Sequence, residues 1–292
     1  MALKPRISRG STIVVSQTAH REEKDTEPGT LANTERSDDK EAVFGTLTSL
    51  VNDFMEEYGL KRIVAFSGGS DEPGLEGIDD PGLKEHLKVA LHKKQELIIG
   101  QAISRLCSYR IAILCGGTKG GVPETTALAA KAAGLSTIGV YPARGRKHPL
   151  SPEALDLRIC VESEMSHWGD ESSVFAKLLD GVIVYGGSAG TLIEVAHVLK
   201  INDAILGKAQ PIRGSTSQPR HAAGEAEESA RLKLIVPIPG TGGVADGLPF
   251  IWGKQKVRLA SIIQDNIQDQ KNIGFRAAHL LANRLHLDRH LK

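Results

Sequence analysis

The chain has 292 residues, of which 40% are hydrophobic and 24% charged, so it is long enough to bury a sizeable core in one large domain or two small ones. A formal net charge of +1 argues against general attraction to nucleic acid or to an anionic membrane. The sequence shows neither a signal-peptide pattern nor an apolar run of the roughly 18 residues that span a bilayer. We therefore expect a cytoplasmic protein with neither a nucleic-acid nor a membrane partner.

The amino-terminal segment, residues 1–40, is polar apart from the short apolar run STIVV. Such a composition buries too little surface to offset its ordering entropy, which predicts a disordered tail. We assign residues 41–292 to a single α/β domain that includes the carboxy-terminal helices. Apolar residues at helical spacing predict that the domain begins with a helix over residues 42–58.

Short β-branched runs follow, mostly alternating with glycine turns and helical patterns. The predicted strands are residues 62–66, 110–115, 136–141, 157–161, 181–185 and 232–238. Nearly continuous apolar runs are typical of strands that are covered on both faces. The sequence therefore predicts a doubly wound parallel α/β sheet, Rossmann-like, with helices on both faces.

Three further features complete the predicted organisation. Residues 213–230 have loop composition and are predicted to be a mobile insertion, and a helical region runs from residue 254, with a break near Gly274. Cys107, Cys115 and Cys160 lack metal-ligand spacing and are expected to be buried thiols in a reducing compartment. No metal site is evident.

Four predicted strands end in glycine clusters: SGGS (67–70), GGTKGG (116–121), GGSAGT (186–191) and PGTGG (239–243). In an open parallel sheet these ends share one edge, where ligands bind, and glycine lets the backbone approach a phosphate closely. Tight strand-to-helix turns alone would also require glycine. The predicted ligand-binding residues are Gly68, Gly69, Ser70, Gly116, Gly117, Thr118, Lys119, Gly120, Gly186, Gly187, Ser188, Gly190, Thr191, Gly240, Thr241, Gly242 and Gly243.

The segments RIVAFSGGS, RIAILCGGTKGGVPETTALAAKAAGLSTIGVYP and DGVIVYGGSAGTLIE resemble, in order and spacing, the signature of the SLOG superfamily, which includes the Lonely Guy proteins. That resemblance covers roughly residues 60–250. It implies a site for nucleoside 5′-monophosphates built on a PGGxGTxxE motif, in which Glu194 would be the catalytic residue. It also implies a homodimer, because members of the superfamily often dimerise.

Two departures from the Lonely Guy pattern bear on the activity. Gly186 stands where proline is usual and Ser188 where the second glycine is. The Arg-Lys pair that the hydrolases carry is absent, and Glu171 occupies the position of its arginine. A carboxylate there removes a cation that would stabilise the departing base or the phosphate. Residues 235–250 look instead like nucleotide-sensing SLOG domains related to the amino-terminal region of TRPM channels, and carriers of molybdenum cofactor share this scaffold.

Several candidate residues also have a purely structural explanation. Thr191 and Glu194 have the spacing of a capping box, and Glu124 suits the first turn of a helix. Lys119 and the basic run 143–148 are either phosphate contacts or solvated loops. Asp170 is predicted to be a helix N-cap.

We conclude from the sequence that the chain binds a nucleotide or nucleotide-derived small molecule of unspecified identity, as a sensor or carrier. The first alternative is a phosphoribohydrolase that cleaves an N-glycosidic bond with Glu194 as acid or base. A third possibility is an interaction scaffold with a vestigial cleft.

Overall fold

A computed structural model describes residues 9–16, 38–70, 75, 77–163, 167–209, 232–252 and 270–291. The predicted insertion at 213–230 lies outside the described residues, as do most of the predicted tail and residues 254–269. None of the described helices is both long and apolar enough to cross a membrane.

The centre of the fold is one sheet of seven strands, all parallel, in the order β1-β5-β4-β3-β2-β6-β7. The strands are β1 (Ser11–Ser16), β2 (Arg62–Gly68), β3 (Ile111–Cys115), β4 (Ser136–Pro142), β5 (Leu157–Glu162), β6 (Gly181–Tyr185) and β7 (Leu234–Pro237). All six predicted strands are present, with ends that differ by at most two residues. The doubly wound parallel fold predicted from the sequence is confirmed.

Helices cover both faces of the sheet. They are α1 (Asp38–Glu57), α2 (Pro81–Leu106), α3 (Gly121–Ala132), α4 (Ser172–Leu178), α5 (Ala189–Ala209), α6 (Gly243–Trp252) and α7 (Ile273–Arg284). Core residues of α1, α4, α5 and α6 pack on one face, and those of α2, α3 and α7 pack on the other. Alternation along a strand divides its side chains between the two cores: in β2, Ile63 and Ala65 face one layer, and Val64 and Phe66 face the other.

The prediction of a disordered tail is wrong at Ser11–Ser16, because this segment is the edge strand β1. It pairs in parallel register with β5 from Ser11 beside Leu157 to Ser16 beside Glu162. Val15 is only 4% exposed and belongs to the core, and Gly10 N donates to Asp156 O at 2.6 Å. The short apolar run from Ile13 to Val15 suffices because β5 offers a free edge that supplies the backbone partners.

The helix boundaries correct two further expectations. The first helix begins at Asp38, ahead of the predicted start at 42. The break expected near Gly274 is the start of α7, which follows a 3₁₀ turn at Gln270–Asn272. A Cβ atom at Gly274 would lie 1.9 Å from Ile98 O, so this glycine permits a close crossing of α7 over α2.

Candidate functional site

The order of the strands reverses at β2. The chain runs from β2 through β3 and β4 to β5 on one side, and β6 and β7 are added on the other side of β2. The crevice between the carboxyl ends of β2 and β6 is therefore the topological switch point, where ligands of open α/β sheets bind. The turns after β2, β3, β6 and β7, which hold all the predicted ligand-binding glycines, lie at this edge.

The turns after β2 and β3 are locked to each other. Val122 N donates to Gly69 O at 3.0 Å, and a Cβ atom at Gly121 would lie 2.2 Å from the same oxygen. Gly68 is similarly confined, because its Cβ would lie 2.5 Å from Tyr185 O. These glycines allow neighbouring chain segments to touch. Ser70 is exposed beside them.

The rest of the turn after β3 also has internal partners. Gly120 N donates to Glu124 Oε2 at 2.8 Å, and Lys119 N donates to His148 O at 2.9 Å, although the Lys119 side chain is exposed. Tyr141 crowds Gly117, whose Cβ would lie 2.7 Å from its ring. Two further predicted residues, Gly116 and Thr118, are half-buried and buried respectively.

The turns after β6 and β7 form a second locked pair. Gly186 N donates to Thr241 Oγ1 at 2.9 Å, and Val244 N donates to Gly187 O at 3.0 Å. The amides of Gly240 and Gly242 both donate to the carboxylate of Asp246, at 2.7 and 3.0 Å. Gly243 has a φ of +53° and lies against Gly187 O. In this turn two amides that would otherwise suit an anion already bind a carboxylate of the chain itself.

The open turn is the one that starts α5. Ser188, Ala189 and Gly190 are exposed, and a Cβ atom at Gly190 would have open space around it, with no described atom within 4 Å. The first amides of an α-helix have no acceptor within the helix, and the helix dipole favours an anion there. The first turn of α5 is therefore the part of this edge best suited to a phosphate.

Gly187 and Gly186 have different roles from Gly190. A Cβ at Gly187 would lie 2.4 Å from Thr191 Oγ1, and the φ of +95° is itself unfavourable for other residues. Gly186 has a φ of +54°, which proline cannot adopt, so the departure from the usual PGG sequence reflects a different turn. Because Gly187 is required by the turn, a substitution there would harm folding as well as binding.

Glu194 lies in the second turn of α5, on the face that borders the crevice. Its carboxylate accepts a short hydrogen bond from Ser67 Oγ at the end of β2, so one bond spans the switch point. Burial raises the pKa of Glu194 to about 8, and the charge of Glu171 adds to the rise, while the bond from Ser67 opposes it. The hydrogen-bond partner of Glu194 is therefore a serine on strand β2. In a capping box, Glu194 would instead bond to the backbone at the start of its own helix.

Glu171 is the residue just before α4 and lies beside Glu194. Its Oε2 accepts from Gly169 N at 2.9 Å, and burial raises the pKa of its carboxyl. Asp170 was expected to cap this helix, but its carboxylate bonds to His167 N and to Ser163 Oγ, and Glu171 holds the capping position. The position at which the hydrolases carry arginine is therefore one half of a carboxylate pair.

Sequence reasoning missed two residues of this crevice. Ser67 is 2% exposed and belongs to the SGGS segment, but only the three residues after it were assigned to the ligand. Trp168 is 51% exposed and precedes Gly169, at which a Cβ would lie 3.3 Å from Ile193 Cδ1. The signal in the sequence was one of only two tryptophans, standing in the polar segment HWGDESS.

A separate cavity of about 590 Å³ lies at the other end of the sheet, at the amino ends of β2, β6 and β7. Its lining includes Lys61, Asp180 and Lys233, and Lys233 Nζ donates to Lys177 O at 2.9 Å and to Leu179 O at 2.5 Å. It is thus remote from the glycine turns, with the length of the strands in between.

Comparisons with solved structures find matches of low sequence identity. A molybdenum cofactor binding protein from Rippkaea orientalis is 17% identical over 76% of this chain and 98% of its own, with a TM-score of 0.42. The molybdenum cofactor carrier protein of Chlamydomonas reinhardtii is 17% identical over 76% and 99%, with a TM-score of 0.43. DNA processing protein A from Streptococcus pneumoniae is 16% identical over 70% and 59%, with a TM-score of 0.35.

No curated protein sequence matches the chain. The sequence profile of the SLOG cluster4 family does match, over residues 86–234, which is just over half of the 292 residues. The matched range begins within α2 and ends at the start of β7, and it includes the first turn of α5, Glu171 and Glu194. The chain therefore belongs to the SLOG cluster4 family.

Proposed function

We propose that the chain binds a nucleotide or a nucleotide-derived small molecule in the crevice at the switch point, as a sensor or carrier. The observation that carries the proposal is the open first turn of α5, which lies at the same crevice as the Ser67–Glu194 hydrogen bond. The phosphate would bind at residues 188–190. The remainder of the ligand would then extend along α5 towards Glu194, about 6 Å further along the helix axis.

The pairwise locking of the other turns refines this proposal. In the turns after β3 and β7, backbone amides already donate to Glu124 and Asp246. We propose that these turns are rigid and hold β2 and β6 in place around the crevice. Of the predicted ligand-binding residues, Ser188 and Gly190 are the ones we propose as phosphate contacts, together with the backbone at Thr191. Gly68, Gly187 and Gly243 are proposed to shape the site without touching the ligand.

A matched pair of glycine substitutions tests the phosphate position. Gly190→Glu adds a carboxylate to the first turn of α5, where a negative charge suits the helix dipole but repels a phosphate. Gly100→Glu is the control, because Gly100 lies in α2 and also has no described atom within 4 Å of its Cβ position. Both proteins should fold, as judged by circular dichroism.

The readout is the melting temperature in the presence of nucleoside monophosphates, cyclic nucleotides and ADP-ribose. A ligand at 100 times its Kd adds about 2.7 kcal/mol to the free energy of unfolding. We expect this stabilisation in the wild type and in Gly100→Glu, and its loss in Gly190→Glu. Equal stabilisation of all three proteins would contradict the phosphate position, and no stabilisation by any ligand would favour the interaction scaffold.

A hydrolase is the second candidate, and the pairing of Glu171 with Glu194 favours it. Two neighbouring carboxyl groups can act as an acid and a base when one of them holds its proton, and burial raises the pKa of Glu194 to about 8. Glu194 would donate its proton to the departing base, and Glu171 would take a proton from the water whose oxygen bonds to C1′ as the N-glycosidic bond breaks. The cation of the Lonely Guy pattern is absent from this pair.

Release of free base separates the two candidates. Without a cation to offset the charge of the departing base, a rate lower by about 10²- to 10³-fold is typical. We therefore expect no base release from AMP or other nucleoside monophosphates above background, even where thermal shift detects binding. Release by the wild type that disappears in a folded Glu194→Gln variant would establish the hydrolase instead.

A further inference from the structure

Glu171 and Glu194 lie beside each other at the crevice. The loop that carries Trp168 and Glu171 into α4 runs against α5, because a Cβ atom at Gly169 would lie 3.3 Å from Ile193 Cδ1. The two carboxyl groups are close enough for the charge of Glu171 to raise the pKa of Glu194. They belong to different helices, α4 and α5, and each is only partly exposed. This part of the site is therefore rich in hydrogen-bonding oxygen atoms.

Several groups of the described chain interact with the pair. Ser67 Oγ donates to Glu194 from β2, and Gly169 N donates to Glu171. The other ionisable groups that interact with the pair are Asp170 and the buried thiol of Cys115, whose pKa is raised to about 12. The thiol is therefore neutral, so the pair faces no cation among these partners.

A second observation at the same place also indicates a ligand. Ser172, the first residue of α4, is 1% exposed, and its Oγ has no hydrogen-bond partner within the described part of the chain. A buried hydroxyl without a partner costs free energy in the unliganded protein. It follows Glu171 directly in the chain, at the end of α4 that borders the crevice.

Apolar surface lies beside these polar groups. Trp168 is 51% exposed, and Leu192 and Ile193, on the first turns of α5, are 38% and 39% exposed. Exposed tryptophan faces stack on heterocyclic bases, and the polar edge of the base is then read by hydrogen bonds. A flat ring stacked on Trp168 would be held by the same loop that carries Glu171 at the start of α4.

We propose that Glu171 and Glu194 recognise a 2-amino-4-oxopyrimidine edge, the group shared by guanine and pterin, while Trp168 stacks on the ring. This edge presents two adjacent N–H donors and one carbonyl acceptor. The ionised carboxylate of Glu171 accepts from the two donors, and the protonated carboxyl of Glu194 donates to the carbonyl. The inference rests on the proposed nucleotide site and specifies which class of base it takes.

The distribution of charge fits this assignment. Burial raises the pKa of both carboxyl groups, that of Glu194 to about 8, and two neighbouring carboxyl groups do not readily ionise together. We assign the proton of the pair to Glu194, because the N–H of Gly169 donates to Glu171 and opposes its protonation. With one proton, the pair offers two acceptor oxygens on Glu171 and one donor O–H on Glu194. These match the two N–H donors and the carbonyl acceptor of the guanine edge. Adenine has one exocyclic amine next to a ring acceptor and would leave a carboxylate lone pair without a donor.

The first test compares GMP with IMP, which lacks only the 2-amino group, by calorimetry on the full chain at pH 7. We expect GMP to bind at least about tenfold more tightly, since a site built for a donor discriminates against a ligand that lacks it. Glu171→Gln should reduce this preference to less than twofold. Glu194→Gln should keep it, because the amide N–H replaces the carboxyl O–H as donor.

Two further measurements make the test independent of a general loss of binding. The affinity of the wild type for GMP should fall at pH 9, where Glu194 is ionised and no longer donates, but that of Glu194→Gln should not. In a Trp252→Phe background, GMP should quench the fluorescence of Trp168. Trp168→Ala should weaken GMP and IMP equally.

Pterin and lumazine, in which a carbonyl oxygen replaces the 2-amino group of pterin, distinguish the two sources of the edge. A preference for pterin over lumazine together with weak GMP binding would identify a pterin ligand and support the inference. Nucleotide binding that is lost in Gly190→Glu but shows no preference for GMP over IMP, nor for pterin over lumazine, would overturn it and leave the proposed function intact. No binding of any of these compounds would overturn both.

Discussion

At the residue scale, the hydrogen bond between Ser67 and Glu194 links β2 and α5, the two elements that flank the switch point. The hydroxyl and the carboxylate are 127 positions apart in the chain, and one bond fixes the second turn of α5 against the end of β2. Because Glu194 is buried and close to Glu171, its proton is held more tightly in the folded protein than in the unfolded chain. The free energy of unfolding must then depend on pH.

The sign of this dependence follows from the direction of the shift. The pKa of Glu194 rises from 4.5 to about 8 on folding, so between these values the folded state retains a proton that the unfolded state has lost. Stability therefore falls as the pH rises from about 5 to 8, by at most about 1.4 kcal/mol per pH unit. Glu194→Gln should remove this contribution.

Urea unfolding of the wild type and Glu194→Gln from pH 5 to pH 9 measures the effect. The difference in stability should grow in favour of the variant up to about pH 8 and then level off. Glu153→Gln, at an exposed position, serves as the control and should follow the wild type. A difference that does not change with pH would mean that Glu194 ionises normally in the folded protein.

At the scale of elements, β1 shows how a short strand joins the sheet. Val15 is 4% exposed and packs in the core with α1, whereas its neighbour Val14 is 52% exposed on the other face. Val15→Ala should lower the free energy of unfolding by about 1 to 2 kcal/mol, and Val14→Ala by a few tenths. Chemical denaturation of both variants tests this, and equal small effects would show that β1 is not docked in solution.

The crossing of α2 and α7 is a second contact between elements that depends on one small residue. Gly274 lies against Ile98 O, and its amide donates to Gln101 Oε1 at 3.2 Å. Gly274→Ala should cost about 1 to 3 kcal/mol, because the added methyl group forces the helices apart. Gly100→Ala, at an open position of α2, should instead stabilise by up to about 1 kcal/mol. Melting temperatures that move in the same direction would contradict the close crossing.

At the scale of the whole molecule, the sheet divides into a centre and two edges. β5, β4, β3, β2 and β6 are paired on both sides, whereas β1 and β7 each have one neighbour. Of these five strands, β2, β3 and β6 contribute side chains to the large cores on both faces. We expect native-state hydrogen exchange to be slowest in β2, β3 and β6 and fastest in β1, since locally opened states need not disturb the centre.

A bound nucleotide should slow amide exchange at the carboxyl ends of the strands, where the glycine turns lie. The amides of the turns after β2 and β6 and of the first turn of α5 should exchange more slowly. Those around the cavity at the amino ends of the strands should not change. Mass spectrometry of peptides from the two ends of the sheet, with and without GMP, measures the difference. Uniform slowing across the chain would indicate general stabilisation without a localised site.

Much of this architecture could be predicted from the sequence. Buried strands such as GVIVY are continuous apolar runs, and the glycine turns follow them directly, so the parallel sheet and the edge that carries the turns could be inferred from local patterns. The signature segments around Glu194 likewise indicated the SLOG scaffold, which the family match confirms. These features depend on residues that are neighbours in the chain.

The tertiary structure decided the rest, because it depends on contacts between residues that are distant in sequence. No local pattern distinguishes Gly190, which faces open space, from Gly187, which is pressed against Thr191. The pairing of β1 with β5 required an edge created by strands that lie far along the chain, and the apolar run alone was too short to reveal it. Glu194 could equally have capped its own helix, until the order of the strands placed β2 and Ser67 within reach of its carboxylate.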